Sequence, residues 1–417
     1  MGLKDFRVVF DNPVNTYYSG QTVTGNIIVV VDSTKKVRGI KVRIKGEANT
    51  SWSYGGSMME ENYLLKKNES YYVEDILTGY EEYFEENYYL IGSASGSEIE
   101  IQSGEHKFPF TYTLPLNLPC SFESDFGHVR YTVKATLDRP WKFDHEVKRP
   151  FTVITPLDLN KEPRATESIQ EEMSDTLFCL YCCDTSPLTV NFSLPVRGYV
   201  SGQSMPIRIN VENLSNVAVN TIKLALCKIV TFHANPQIGH SRFASDARVY
   251  KKEEFVISEI SKGPVEARGT ADYEQHLDIP PLPPSNCLDN CSIIDIEYKL
   301  KVKAYSRGWY NWNVVAKTLI FVGTVPLATY HAPTAPPAET EGDSPTKPPA
   351  AGFVIPSTNM TLPLPEASLY PTLPLPSFEK SLNNARYLRE FEESDYVYGL
   401  NNYFAPRYPV YNFATTQ

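Results

Sequence analysis

Several features that mark other protein classes are missing from this 417-residue chain. Before residue 375 no long segment repeats apolar residues at i, i+3, i+4 and i+7, which argues against helical domains. No apolar run is long enough to cross a bilayer as a helix, and the opening MGLKDFRVVF lacks a basic-then-apolar leader, so a cytoplasmic protein is expected. Met1-Gly2 does not open a myristoylation signal, because position 6 is Phe6 rather than Ser or Thr. The formal net charge of −10 excludes general affinity for nucleic acid or anionic lipid, since counterion release requires a basic surface; local basic stripes stay open. Seven cysteines without a secretory leader argue against a disulfide framework, and triplets such as Asn213-Leu214-Ser215 then carry no glycosylation meaning. The seven histidines are scattered singly, no Gly-rich phosphate loop follows a strand, and no G-x-S-x-G occurs. Glu85-Glu86 reads as a pair of solvated loop carboxylates. An enzyme is therefore not expected, and neither is a cofactor.

What is present is β-sheet material, and it is present twice. YSGQTVTGNIIVVV (residues 18 to 31) is echoed by YVSGQSMPIRINV (residues 199 to 211). Each copy opens on a Ser-Gly-Gln turn and continues as an alternating strand, with Val23, Ile27, Val29 and Val31 in one and Met205, Ile207, Ile209 and Val211 in the other. Gly20 and Gly202 suit the turn because glycine reaches positive φ without steric cost. The triplets lie about 180 residues apart, the length of a domain rather than of a solenoid repeat. Two similar β-domains in tandem follow.

Strand-like runs fill residues 3 to 154. In GIKVRIKGE, Ile40, Val42 and Ile44 alternate with Lys41, Arg43 and Lys45, giving one buried and one basic face. Residues 52 to 92, rich in Tyr and Glu, read as a hairpin with a long irregular loop. Pro115 and Pro119 must lie at an edge or outside the sheet, because proline cannot donate to a ladder. Polar residues 158 to 175 read as the connection between domains. In the second domain, Ile296, Tyr298, Leu300 and Val302 alternate with Glu297, Lys299, Lys301 and Lys303. From about His331 prolines cluster and alternation stops, a composition that cannot bury enough apolar surface to offset backbone ordering. Within that tail Phe378, Leu382, Ala385, Leu388 and Phe391 fall at helical spacing and suggest a short helix that forms on a partner.

The paired SGQ strands, GEHKFPFTYTLPLNLPCSFESDFGHVRYTVKATLDRPW in the first half, and IPPLPPS with CSIIDIEYKLKV in the second resemble the arrestin-domain-containing proteins, the α-arrestins, over roughly residues 3 to 328. The resemblance implies an all-β chain of two tandem arrestin-type, immunoglobulin-like β-sandwich domains (1–157 and 176–328, joined by 158–175), followed by a disordered Pro/Tyr-rich tail (329–417). It also implies adaptor work. Such proteins bind membrane cargo, receptors or transporters, through the arrestin domains and recruit ubiquitin ligases and sorting factors through the tail, with peripheral association to plasma membrane and endosomes. The usual ligase device, Pro-Pro-X-Tyr for WW domains of HECT-type ligases, is absent: no Pro-Pro pair here is followed by a suitably placed Tyr.

Other tail motifs are candidates. Pro333-Thr334-Ala335-Pro336 resembles the PTAP motif bound by ESCRT-I, and Tyr370-Pro371-Thr372-Leu373 resembles the YPxL motif of Bro1-type proteins. Leu375-Pro376-Ser377-Phe378 resembles a weakened ligase motif, with Phe lacking the Tyr hydroxyl and its hydrogen bond, a loss of about 1 kcal/mol. On the sandwich, Lys4 and Arg7 with Lys41, Arg43 and Lys45 form either a groove for acidic or phosphorylated cargo tails or a solvated sheet face. Cys179, Cys182 and Cys183 with Cys287 and Cys291 supply enough thiols for zinc, but the last pair has three intervening residues and buried core thiols are the commoner case. Cys227, next to Lys228, is a candidate reactive thiol, which keeps open a redox-linked protein that binds thioredoxin; a signalling scaffold is a further alternative.

Overall fold

The computed structural model describes residues 2–62, 67–140, 143–176, 186–236, 249–285, 287–306, 312–328, 376–381, 385–388, 397–401 and 403–413. The first domain is built from β1 (Leu3–Phe10), β2 (Thr16–Tyr18), β3 (Thr22–Val31), β4 (Lys35–Val37), β5 (Gly39–Asn62), β6 (Lys67–Gly92), β7 (Ile99–Ile101), β8 (Gly104–Thr113), β9 (Phe122–Glu123), β10 (Gly127–Asp138) and β11 (His145–Ile154). The second contains β12 (Ile169–Thr176), β13 (Pro187–Leu194), β14 (Gly198–Val200), β15 (Ser204–Asn213), β16 (Val219–Pro236), β17 (Val249–Lys262), β18 (Thr270–Asp278), β19 (Ile294–Ser306) and β20 (Trp312–Gly323).

Each domain is a sandwich of two sheets. In the first, β1-β3-β8 faces β6-β5-β10-β11; in the second, β12-β13-β15-β18 faces β16, β19 and β20, with β17 on the outer edge of β16. The alternation read from the sequence sets the inward faces. Ile40, Val42 and Ile44 are fully buried, as are Val23, Ile27 and Val29, while Tyr298, Leu300 and Val302 fill the second core. Phe10 of β1 reaches across the first sandwich to Phe151 of β11, edge to face with ring centroids 5.7 Å apart. Pro115 and Pro119 fall in the connection between β8 and β9, outside any strand.

The repeated Ser-Gly-Gln stretch has one structure in both places. Gly20 and Gly202 take φ of +83° and +92°. The Gln21 side chain accepts from the Tyr18 N–H at 2.8 Å, and Gln203 accepts from Val200 at 2.9 Å, so each glutamine ties its own turn shut. The strand before each turn joins its sheet in parallel, β2 on β11 and β14 on β20. The correspondence extends further. Ser121 and Ser285 accept from Val153 and Val322, and Tyr131 and Tyr298 donate to the Pro119 and Pro283 carbonyls.

Two expectations about local structure are corrected. The described residues of 52–92 form no long irregular loop: β5 and β6 pair from Gly39↔Gly92 to Asn62↔Lys67 with only two register shifts. The Glu-rich composition that reads as loop belongs to an exposed strand face opposite the lysines of β5, with Lys45 bridging to Glu47 at 2.7 Å and to Glu82 and Glu85 at 3.6 Å. The connection expected over 158–175 is shorter, because Ile169–Thr176 is β12, an edge strand that buries Ile169 and Met173 and leaves its charges in solvent. Two short 3₁₀ turns, Leu159–Lys161 and Pro163–Thr166, make the joint.

The domains meet through backbone as well as side chains. β16 extends past its own sheet to pair with β6 at Asn235↔Thr78 and Pro236↔Leu77. Thr50 donates to the His233 carbonyl at 2.7 Å, the Cys120 N–H donates to the Cys287 carbonyl at 2.8 Å, and Phe126 packs edge to face on Phe232. Lys228 is buried here, its ammonium 5.4 Å from the Phe122 ring centroid of one domain and 5.2 Å from Phe255 of the other. The rings favour the charged form, but desolvation outweighs them and pushes Lys228 down to about 8.

A pH dependence follows. Between pH 8 and about 10 the unfolded chain holds the Lys228 proton and the folded chain releases it, so stability rises with pH across that window. Below pH 8 both states are charged and the penalty, at most about 3 kcal/mol, is fully present. Lys228→Met is expected to be more stable than the parent at pH 7 and to lose the rise between pH 8 and 10, as measured by urea unfolding. A second expectation concerns the turns. A Cβ on Gly202 would lie 2.1 Å from the Tyr411 carbonyl oxygen, whereas one on Gly20 meets only the tip of the exposed Leu116 side chain. Gly202→Ala should therefore lower the melting temperature more than Gly20→Ala, which carries only the backbone strain of about 1–2 kcal/mol.

Candidate functional site

The carboxy-terminal segment packs on both sandwiches where it is described. β21 (Ser377–Lys380) pairs with β25 (Arg407–Val410), β22 (Arg386–Tyr387) pairs with β24 (Tyr403–Phe404), and β23 (Val397–Tyr398) adds in parallel to β11. The stretch read as a helix is thus extended at Phe378 and at Arg386–Tyr387, while Leu382 and Phe391 lie outside the described residues. Helical spacing is overridden by ladder bonds to residues 403–410, which an isolated short helix could not match.

Three anchors hold the segment. A bidentate ion pair, buried on both sides, links Arg130 to Glu123 at 2.7 and 2.8 Å, and Arg130 also donates to the Tyr387 and Leu388 carbonyls at 3.3 Å. Tyr408 is fully buried and donates to the Ser121 carbonyl of the first domain at 2.8 Å. Tyr411 donates its hydroxyl to the Thr324 carbonyl of the second domain at 2.6 Å and its N–H to Ser201 at 3.0 Å. Residues 408 to 411 therefore strap one domain to the other.

Between this strap and the first domain lies a cleft of about 450 Å³ whose lining includes Arg7, Lys148, Arg149, Lys380 and Arg407, with Asn15, Thr152 and Tyr403, and among the described residues no aspartate or glutamate. Arg7 forms an ion pair with Asp5 just outside it. Arg149 donates to the Val8 carbonyl at 2.6 Å and stacks over Phe10, and its half-buried position pushes its pKa down. Five cations around a small polar cleft can hold an anionic group through charge-assisted hydrogen bonds.

The basic residues expected to act together do not converge. Arg7 lines the cleft, but Lys4 does not, and Lys41, Arg43 and Lys45 belong to β5 in the other sheet of the sandwich, where they lie opposite Tyr89, Asn87 and Glu85 of β6. The cations missed from sequence, Lys148, Arg149, Lys380 and Arg407, come from β11 and from a segment some 250 residues away in the chain; only the adjacent pair Lys148-Arg149 left a signal. Cys227 is buried, and its thiol is pushed up to about 11 first by burial and then by the neighbouring Glu254, the reverse of what a reactive thiolate requires. Cys287 and Cys291 are buried, Cys179, Cys182 and Cys183 lie outside the described residues, and among the described residues no group of three or more His, Cys, Asp or Glu is placed to hold a metal. Pro333, Thr334, Ala335, Pro336, Tyr370, Pro371, Leu373 and Leu375 also lie outside the described residues. Pro376 is described, and the Phe378 ring is engaged by the protein itself, edge to face with Tyr18 at 6.3 Å.

Comparison with known proteins agrees with this architecture. Residues 6–160 match the arrestin (or S-antigen) N-terminal domain and residues 184–327 the C-terminal domain. The chain belongs to the α-arrestin family of arrestin-domain-containing proteins. It is 28% identical to arrestin domain-containing protein 17 of Caenorhabditis elegans over 98% of this chain and 99% of that protein. It is 27% identical to human arrestin domain-containing protein 1 over 79% of this chain and 66% of that one, and 23% identical to mouse arrestin domain-containing protein 4 over 79% and 74%. An adaptor role of the arrestin type follows from membership, and among the described residues no helix is long and apolar enough to cross a membrane.

Arg130 offers a direct check on the strap. Arg130→Met leaves the Glu123 carboxylate buried without its partner and should cost about 3–5 kcal/mol in urea unfolding. The double change Glu123→Leu with Arg130→Met should recover most of that loss while the segment around Tyr387 stays sensitive to limited proteolysis, because its two carbonyl acceptors have lost their donor.

Proposed function

We propose that this protein is an adaptor that binds acidic or phosphorylated cytoplasmic tails of membrane receptors or transporters and passes them to ubiquitin-dependent endosomal sorting. The observation that carries the reading is the cationic cleft, free of carboxylates among the described residues of its lining, on the domain that matches the arrestin N-terminal family. An extended peptide bearing phosphates presents anions that such a cleft can hold, and Arg7 and Lys380 present exposed cations at its rim. The second half of the reading rests on PTAP and YPTL in the segment after Ala328, which would recruit ESCRT-I and Bro1-type proteins. A HECT-type ligase has weaker grounds, since Pro-Pro-X-Tyr is absent and Phe378 of the nearest substitute packs on Tyr18. On this reading the chain is cytoplasmic and associates peripherally with plasma membrane and endosomes through its partners.

Anisotropy titration of a fluorescent peptide carrying three phosphoserines against the full chain tests cargo recognition. The parent should bind at least tenfold more tightly than it binds the unphosphorylated peptide, with affinity falling steeply as salt rises, and Arg7→Glu with Lys380→Glu should abolish the difference. Equal binding of both peptides would remove the cleft from the mechanism. For the sorting half, PTAP and YPTL lie about 35 residues apart in the sequence, a spacing that lets two partners of one assembly bind the same chain together. Pro336→Ala and Tyr370→Ala should each weaken endosomal recruitment in part, and together by more than the sum of their free-energy losses. Strictly additive losses would leave the motifs acting separately.

A further inference from the structure

Two thiols face each other across the domain boundary. Cys120 lies in the loop before β9 of the first domain, and Cys287 in the proline-rich loop before β19 of the second; both are free and buried. The Cys120 N–H donates to the Cys287 carbonyl at 2.8 Å. Bond lengths and angles then keep the two Cα atoms within about 6.5 Å, inside the span of a disulfide. Both side chains belong to the same buried core cluster. The Cys120 sulfur is fixed from its other side by the Thr155 N–H at 3.1 Å.

The pair sits among three buried tyrosines, Tyr131 from the first domain, Tyr298 from the second and Tyr408 from the strap. The first two belong to the sheets and cannot leave without unfolding a core. Tyr408 is different. It arrives on a short strand at the end of the chain and is held by one hydrogen bond to Ser121 and by its neighbours. Among the described residues its strand pairs only with β21, so its withdrawal breaks no strand pairing within either sandwich.

We infer that Cys120 and Cys287 are a reversible oxidative modification site, closed by hydrogen peroxide into a disulfide that joins the two domains, with Tyr408 as the cover that controls access. One thiol, as thiolate, attacks the peroxide oxygen; the O–O bond breaks, the sulfur becomes a sulfenic acid and the first water leaves. The second thiol displaces the hydroxyl from that sulfur, forming the S–S bond and releasing the second water. Two electrons pass from the sulfurs to the peroxide, and the two thiol protons end in the two waters. A small dithiol reverses the step. With the cover in place burial pushes the Cys287 thiol well up, which keeps it protonated and unreactive.

The site is independent of the cargo-binding reading. The test treats the full chain with hydrogen peroxide for timed intervals, blocks remaining thiols with N-ethylmaleimide, and maps non-reduced peptides by mass spectrometry. A cross-linked peptide pair containing Cys120 and Cys287, lost on adding dithiothreitol, is expected in the parent, and it should form at least fivefold faster in Tyr408→Ala. The oxidised parent should also melt higher than the reduced parent by about 5 °C, because the cross-link constrains the unfolded chain, and Cys287→Ser should show no such gain. Absence of the cross-link from the peroxide-treated parent and variant alike, or sulfinic acid on Cys120 with Cys287 still alkylated, overturns the pair. Equal rates in parent and Tyr408→Ala overturn the cover, and the melting comparison on the parent decides the pair even where Tyr408→Ala fails to fold.

Discussion

The junction where the loop carrying Cys120 meets the loop carrying Cys287 is the constraint on which the rest of the structure depends. Each loop follows the long outer strand of its sandwich and is fixed in the same way, by a buried serine and a tyrosine from the neighbouring strand. Placing the two loops back to back brings β16 to the edge of β6, puts Lys228 between the two cores and creates the seam along which the strap lies. A buried cation and a row of backbone bonds do not make such a seam strong by themselves. They make it specific, because any other docking would leave the Cys120 N–H and the Lys228 ammonium without their surroundings.

Much of the sandwich was legible in the sequence because a β-strand writes its burial in a period of two. Ile40, Val42 and Ile44 or Tyr298, Leu300 and Val302 need no further context, and the paired Ser-Gly-Gln turns announce the duplication through glycines that only a turn with positive φ requires. The rule fails where polar residues occupy strands. Glu82 and Glu85 read as loop because charge was weighed without the lysine opposite, and β12 read as linker because an edge strand shows solvent most of its side chains.

The candidate site was less legible for a different reason. A cleft is a statement about which distant segments meet, and no local pattern carries it. Lys41, Arg43 and Lys45 look like a basic groove until the pairing of β5 with β6 is known, and Arg407 gives no hint that it joins Arg149 until β25 is laid against the first domain. Proline content also hides the described strands between residues 376 and 413. The composition lacks a core of its own, yet Leu388, Tyr408 and Tyr411 are buried, and Tyr411 joins the core cluster of the sandwiches.

The strap changes the geometry of what precedes it. Leu327 is buried in the second domain, and the next described strand, β21, is laddered to β25. The covalent chain between them therefore starts and finishes on the folded body, and any load along it is borne at its far end by the same ladder that seats Tyr408 against Ser121.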